Sequence, residues 1–199
     1  MKINNPPGST PLNDASGLIP DHIHTQEQLW EWEYQNIIKA RNKFLKRRSH
    51  RKQWLNIDFI KQVHFEMFDE TWTWAGKFRI SEVNLGVPVI QIQEAMINLC
   101  NDVKIWPKDS KEKIKENAIK LHHRLTQIHS FRDGNGRHAR LLADIYLYYN
   151  YLKPFLWGIK LLNKQNEIRK KYLATLKAAD KGNLAPLKKF AESSFKMSG

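Results

Sequence analysis

Ile128-His129-Ser130-Phe131-Arg132-Asp133-Gly134-Asn135-Gly136-Arg137-His138-Ala139-Arg140 joins two stretches of strong helical periodicity. Before it, Ile114, Ala118, Leu121, Leu125 and Ile128 recur at steps of three and four behind Ser110 as a cap. After it, Arg137 to Tyr149 continues as an apolar helix of the kind that is buried. The joining segment is rich in Gly and Asn and opens directly into the second helix. The first backbone N–H groups of a helix lack internal partners, and the helix dipole places partial positive charge there, so this geometry binds phosphate. Gly134 and Gly136 let the backbone approach an anion closely. Arg137 and Arg140 stand three apart and project from one side of the first turn. Two guanidiniums above an anion-cradling loop suit a polyphosphate. Asp133 adds a hard oxygen ligand of the kind that holds Mg²⁺ beside a nucleotide. His129, at the other end, is placed to take a proton from an incoming hydroxyl. A base, a metal ligand, an anion cradle and an arginine clamp together describe nucleotide transfer.

Outward from this segment, helical periodicity dominates. After Asp21, the set Ile23, Leu29, Trp30, Tyr34, Ile37 and Ile38 predicts a helix running into a basic cluster. Asp58 reads as the N-cap of a helix from Phe59 to Phe68, and another helix spans Glu94 to Val103. Asn163 begins a further helix that Gly182 ends, and Pro186 opens a short terminal one. The exception is Lys77 to Gln93. Phe78, Ile80, Val83, Val87, Val89, Ile90 and Ile92 are strand formers, and Asn84-Leu85-Gly86 supplies a turn, which predicts a small β-hairpin. The expected fold is all-α, with that one hairpin. It comprises an N-terminal arm over 1–20 and a single domain over 21–199, with its core at about 58–195 and the signature loop at 129–140.

The 199 residues carry 33 Lys and Arg against 20 Asp and Glu, a surplus of +13 that favours acidic partners. A single cysteine, Cys100, excludes an intramolecular disulfide framework and any paired-cysteine zinc or redox site. No run approaches the roughly 18 apolar residues of a membrane span, and Met1 to Pro20 has no apolar signal core. The reading is a soluble, cytoplasmic chain with no membrane partner. Lys39, Arg41, Lys43, Lys46, Arg47, Arg48, Arg51 and Lys52 fall in one short stretch with no acid among them. Base readout needs aromatics or Asn/Gln among the positives, and the cluster offers only Asn42 and Phe44, so a solvated helix face is favoured over a nucleic-acid site.

Taken singly, His129 would be a hydrogen-bonded loop histidine, Asp133 a cap, Gly134-Asn135-Gly136 a turn, and Arg137 and Arg140 a solvated helix end. His22, His24, His50, His64, His122, His123 and His138 receive that plain reading, and the tryptophans at 72 and 74 are read as core. Joint spacing is what moves the loop residues to a functional reading.

This segment resembles the Fic family, whose signature HxFx[D/E]GNGRxxR is met at every fixed position by His129, Phe131, Asp133, Gly134, Asn135, Gly136, Arg137 and Arg140. A chance match of that length has a probability on the order of 10⁻⁸. Trp72-Thr73-Trp74-Ala75-Gly76-Lys77-Phe78-Arg79 is similar to the family's WAGxxR stretch leading into its flap, and Tyr172 through Asn183 to its closing helices. Gly8 to Leu12 and Gly17 to Pro20 resemble the subfamily called mobile mystery protein B. The resemblance implies transfer of AMP from ATP to a Ser, Thr or Tyr hydroxyl of a target protein, with release of pyrophosphate. It makes His129 the base and Asp133 the Mg²⁺ ligand. Gly134, Asn135 and Gly136 become the phosphate cradle, and Arg137 and Arg140 the grip on the β and γ groups. Phe131 becomes a core anchor, and Asp180 falls where the family has a residue near the nucleoside, often asparagine. In the Doc-type kinase branch a lysine replaces the glycine at Gly136 and the last arginine is absent, so adenylylation is expected over phosphorylation. The target would dock on the 77–93 hairpin by strand addition. The self-restraint motif [S/T]xxxE[G/N] has no match, Thr10 with Asp14 and Ala15 being the nearest miss. A separate inhibitor, as in the toxin–antitoxin branch, is the corresponding expectation. The alternatives are a basic helical nucleic-acid-associated protein, a Doc-like kinase and a scaffold that has lost activity; intact His129, Asp133 and both arginines argue against the last.

Overall fold

The computed structural model describes residues 16–46, 54–157 and 166–193, and among them seven α-helices carry nearly all regular structure. They are α1 (Gln26–Phe44), α2 (Ile57–Phe68), α3 (Ile92–Ile105), α4 (Lys111–Ile128), α5 (Asn135–Tyr149), α6 (Asn166–Asp180) and α7 (Ala185–Glu192). The expectation of an all-α fold holds. None of these helices is long and apolar enough to cross a membrane.

α5 is the axis of the molecule, with no exposed residue along it: Ala139, Leu141, Leu142, Ala143, Ile145, Tyr146 and Leu147 are all buried. α4 packs along it, α2 lies on its other side, α1 packs on α2, and α3 on α4. α6 and α7 pair with each other, and α7 also packs on α4. One apolar cluster runs from Ile23 to Ala191. This arrangement puts the junction between α4 and α5 where α1, α2 and α6 can all reach it.

Local chemistry sets the helix starts. Thr25 and Gln28 form a reciprocal capping box on α1. Ser110 caps α4, as its position predicted, accepting from Lys113 N–H at 3.1 Å. On α2 the cap is Asn56, accepting from Phe59 N–H at 2.8 Å, and Asp58 lies inside the first turn. Asn56 takes the role because it has the extended backbone a cap requires. Asp58 still favours the helix through its charge.

The segment 77–93 is an irregular flap and not a hairpin. Its backbone groups are used on the signature loop: Phe78 forms an isolated antiparallel bridge with Phe131, Arg79 N–H donates to Ser130 O at 2.9 Å, and Val87 N–H to Ile128 O at 3.3 Å. Val89–Gln91 tightens into a 3₁₀ turn behind Pro88, and Ile92 joins α3. The β-branched run therefore contributes a helix start where a second strand was expected, because tertiary pairing overrode local propensity.

Gly17 to Ile19, the end of the N-terminal arm, run along Thr71 to Thr73 through three backbone contacts. Gly8 to Leu12, His50, Asn163 and the cations Arg47, Arg48, Arg51 and Lys52 lie outside the described residues. Within the described part of the basic cluster, Lys39 pairs with Glu70 at 2.8 Å and Lys43 with Glu66 at 2.6 Å. Those two charges are neutralised by acids of this chain, which weakens the nucleic-acid alternative.

Candidate active site

His129 is the residue at which α4 stops. Its backbone is left-handed, with φ 51 and ψ 54, a conformation that costs a side-chain-bearing residue about 1 kcal/mol and concentrates at functional sites. The surroundings hold it there. His129 N–H donates to Leu125 O at 3.1 Å, and its own carbonyl accepts from Arg79 Nε at 2.8 Å. The buried Arg79 guanidinium also donates to Ser81 O at 3.1 Å and to Val87 O, so one side chain staples the flap to the signature loop. Gly86 is where the flap crosses His129: a Cβ there would lie 2.5 Å from His129 Cβ. Burial, chiefly, and the Arg79 cation lower the His129 pKa, while Asp133 opposes them. The imidazole is accordingly neutral at neutral pH, the form that can accept a proton.

Phe131 is fully buried and stacks on His64 with ring centroids 3.8 Å apart, which fits the anchoring role expected of it. Asn135 closes the loop with its side chain: Phe131 N–H donates to Asn135 Oδ1 at 2.9 Å, and Asn135 Nδ2 donates to Phe131 O at 2.7 Å. Its amide is therefore spent on the loop, and what Asn135 offers an anion is its backbone N–H. His64, buried on α2, accepts from Gly76 N–H at Nδ1 (3.0 Å) and so donates from Nε2 to Asp133 O (3.1 Å). The histidine given only a plain hydrogen-bonded reading is thus the underside of the loop.

The two glycines differ in why they are there. Gly134 has φ 76, and a Cβ on it would meet the Phe68 ring at 2.5 Å, so packing demands glycine. Gly136 is helical, and a Cβ there would make only ordinary contacts, 3.6 Å to Tyr172 Oη and 3.7 Å to Arg140 Nη1. The fold does not need a glycine at 136. α5 begins without any side-chain cap on its first turn, so the N–H groups there have no side-chain acceptor. An uncapped helix N-terminus with a guanidinium beside it is a place where an anion could be received.

Arg137 and Arg140 part ways. Arg137 donates to Glu33 Oε2 at 2.5 Å and to Asp133 Oδ2 at 3.0 Å, and lies over the Phe68 ring. Arg140 makes no ion pair among the described residues. It lies over the Tyr172 ring at 5.3 Å, and the Tyr172 hydroxyl contacts His122 Nε2 at 3.1 Å. Asp133 keeps its second carboxylate oxygen clear of the Arg137 contact, and one carboxylate with substrate phosphates is the donor set Mg²⁺ ordinarily takes. No group of three or more His, Cys, Asp or Glu placed to hold a metal occurs among the described residues. Asp180 accepts at Oδ1 from His123 Nε2 (2.8 Å) and Gln127 Nε2 (3.1 Å), which brings the end of α6 beside the end of α4 that carries His129.

The sequence reading did not assign roles to Arg79, Glu33, His64, Tyr172 or Arg169. Arg169, one turn before Tyr172 on α6, has its pKa lowered by burial and then by the Arg140 and Arg137 cations, which marks it as a third positive group facing this loop. Its only sequence signal was a run of charge, Arg169-Lys170-Lys171.

A family model described as Fic/DOC family matches residues 54–147. Protein adenylyltransferase fic-1 of Caenorhabditis briggsae is 28% identical over 140 residues, 68% of this chain and 26% of that protein. Protein adenylyltransferase Fic of Aedes aegypti is 32% identical over 119 residues, 58% of this chain and 22% of that one. The chain thus spans about a quarter of the length of these curated relatives. Among solved structures, Fic-1 (residues 134–508) from C. elegans superposes with a TM-score of 0.66 at 23% identity, covering 88% of this chain and 50% of that one. BepC of Bartonella tribocorum, solved with AMPPNP bound, does so at 0.66 and 17% identity over 89% and 91% of the two chains. The likeness to these structures is one of helical fold, and residues 54–147 carry a Fic/DOC family domain match.

Proposed function

We propose that this chain transfers AMP from ATP to a Ser, Thr or Tyr hydroxyl of a target protein. The observation that carries the reading is the α5 N-terminus: an uncapped first turn, a glycine at 136 that packing does not require, and Arg140 beside it. The relatives named adenylyltransferases, and the BepC structure holding AMPPNP, support nucleotide as the anion. His129 takes the proton from the attacking hydroxyl, the hydroxyl oxygen bonds to the α-phosphorus, and the bond from that phosphorus to the bridging oxygen breaks. Pyrophosphate leaves. Gly134, Asn135 and Gly136 cradle the phosphates with backbone N–H groups. Arg140 faces the leaving phosphates, and Arg137 both faces them and holds Asp133 in place. Mg²⁺, held by Asp133 against the phosphates, would supply charge neutralisation when bound. Asp180 sits on the nucleoside side.

The target docks on the flap 77–93, where Ile80, Leu85 and Ile90 are exposed and Gly86 crosses His129. Glycine at 136 and the presence of Arg140 favour AMP transfer over the kinase alternative. Any restraint comes from a separate inhibitor protein of the toxin–antitoxin kind. An N-terminal arm over 1–20 precedes a single domain over 21–199, working in the cytoplasm. Incubation of native protein and His129→Ala with Mg²⁺, a lysate and ATP labelled in turn at the α and γ phosphates tests the reading. Label from the α position alone, absent with His129→Ala, is expected. Label from the γ position would mean kinase chemistry, and equal labelling by both proteins would overturn the role of His129.

A further inference from the structure

α1 lies outside residues 54–147, yet it places a carboxylate on the first signature arginine. Glu33 is only 3% exposed, and both of its oxygens are engaged. Oε1 accepts from Trp72 Nε1 at 2.8 Å, and Oε2 accepts from Arg137 Nη1 at 2.5 Å. α1 is registered on the same stretch after α2 by two further contacts: Trp32 Nε1 donates to Glu70 O at 3.2 Å, and Lys39 pairs with Glu70 at 2.8 Å. Glu33 is thus delivered to Arg137 by a docked helix and braced from behind by an indole.

The arginine passes this hold on. Its other prong, Nη2, donates to Asp133 Oδ2 at 3.0 Å, while the guanidinium lies over the Phe68 ring at 4.9 Å. Trp72, Glu33, Arg137 and Asp133 are therefore one chain of bonds, running from the core to the signature loop. A guanidinium is a flat, rigid fork, so fixing one prong fixes the other. Each prong carries two N–H groups and keeps one of them after these bonds. Two carboxylates flank a single guanidinium, and the carboxylate in excess suits a cation. Burying a glutamate against an arginine is a poor route to stability, because desolvation offsets most of the attraction. What the pair supplies is geometry. Without Glu33 the fork is free to turn side-on to Asp133 and engage both of its oxygens, including the one now clear of Arg137.

We infer that Glu33 is a positioning residue: by holding one prong of Arg137 it keeps the other on a single Asp133 oxygen, so that the second oxygen stays open to the Mg²⁺ that accompanies a nucleotide. The inference rests on the proposed AMP transfer and extends that site to α1, outside the family-matched segment. Glu33 acts through Arg137 and Asp133, as a second shell that orients a metal ligand.

Two measurements on the full chain, as native protein, Glu33→Gln and Glu33→Asp, test it. The first is calorimetric titration with ATP in EDTA and again in excess Mg²⁺, which gives the gain in affinity that the metal provides. That gain should fall about tenfold in Glu33→Gln, the loss typical of a disturbed second shell, and be partly recovered in Glu33→Asp, with affinity in EDTA unchanged. The second is a crystal structure of nucleotide-free Glu33→Gln, which should show both prongs of Arg137 on Asp133. Equal losses with and without Mg²⁺ would make Glu33 merely structural and overturn the inference. So would tighter ATP binding by Glu33→Gln in EDTA, which would mean that the glutamate withholds Arg137 from phosphate, and so would an unmoved Arg137–Asp133 pair in the crystal. Native protein that binds ATP equally with and without Mg²⁺ would also overturn it while leaving nucleotide binding intact. Failure of the native protein to bind ATP under either condition would overturn the proposed function, and the crystal structure would then decide whether Glu33 orients Asp133.

Discussion

The signature loop and the flap lie against each other and are built on opposite terms. Every backbone turn of the loop from 128 to 138 is fixed from below or within: by Asn135 on Phe131, by His64 on the Asp133 carbonyl, and by His138 on Ile60 O at 3.0 Å. The flap is held from one side, by Arg79 and two backbone contacts, and leaves Ile80 93% and Ile90 88% exposed. A site that must place phosphates within a fraction of an ångström needs the first construction. A surface that must take up part of another protein is served by the second, because apolar groups left in water are recovered only on docking.

If the contrast is right, the largest effect should come from overfilling the loop. Gly134→Ala forces a Cβ into Phe68 at a positive φ, and unfolding free energy should fall by about 3 kcal/mol, measured by denaturant titration. Gly136→Ala two residues on should leave stability unchanged or slightly raised, because alanine suits a helix better, while ATP affinity drops about tenfold. Equal stability losses at both positions would erase the distinction between a packing glycine and a ligand glycine.

Acid should attack the loop side next. His64 and His138 beneath the loop, and His122 behind Tyr172, are buried and held below the ordinary histidine range, His138 at about 4, with burial the main cause in each. The unfolded chain binds protons on these rings near pH 6.5 and the folded chain does not, so stability is present above 6.5 and is lost as pH falls toward 4. His138 alone accounts for about 3 kcal/mol across that window. Asp144 acts in the opposite sense, since its raised carboxyl takes up a proton between about 7 and 3.8 in the folded state first. Three imidazoles outweigh one carboxyl, so the melting midpoint should fall from pH 7 to pH 5, and fall more steeply in Asp144→Asn. A midpoint that rises on acidification would contradict the buried neutral rings.

The smallest effect on stability belongs to the flap. Ile80→Ser together with Ile90→Ser should change unfolding free energy by less than about 0.5 kcal/mol. It should nevertheless reduce AMP transfer to a protein target while leaving ATP affinity intact. A large stability loss would show that these side chains are packed.

Much of this contrast was readable in the residues. Ser110, the step pattern from Ile114 to Ile128 and the apolar run after Arg137 located α4 and α5, and the Gly-Asn-Gly turn between them located the site. The flap was misread because β-branched residues signal pairing without naming the partner, and here the partner was the loop. Glu33 was invisible because its bond to Arg137 spans 104 positions and only tertiary packing brings them together. Arg41 was seen as one of eight like charges; its ion pair with Asp144 of α5, at 3.8 Å, arises only from tertiary packing. Asn56 was passed over in favour of Asp58 because both residue types cap, and only backbone conformation chooses between them.

Backbone amide NMR of the ¹⁵N-labelled chain on addition of Mg²⁺ and ATP tests the central claim most directly. The largest shifts are predicted at the N–H groups of Asn135, Gly136 and Arg137, with weaker ones at Tyr172 and none in α3. Saturable binding whose shifts spare those three amides and fall elsewhere would contradict a phosphate cradle at the start of α5.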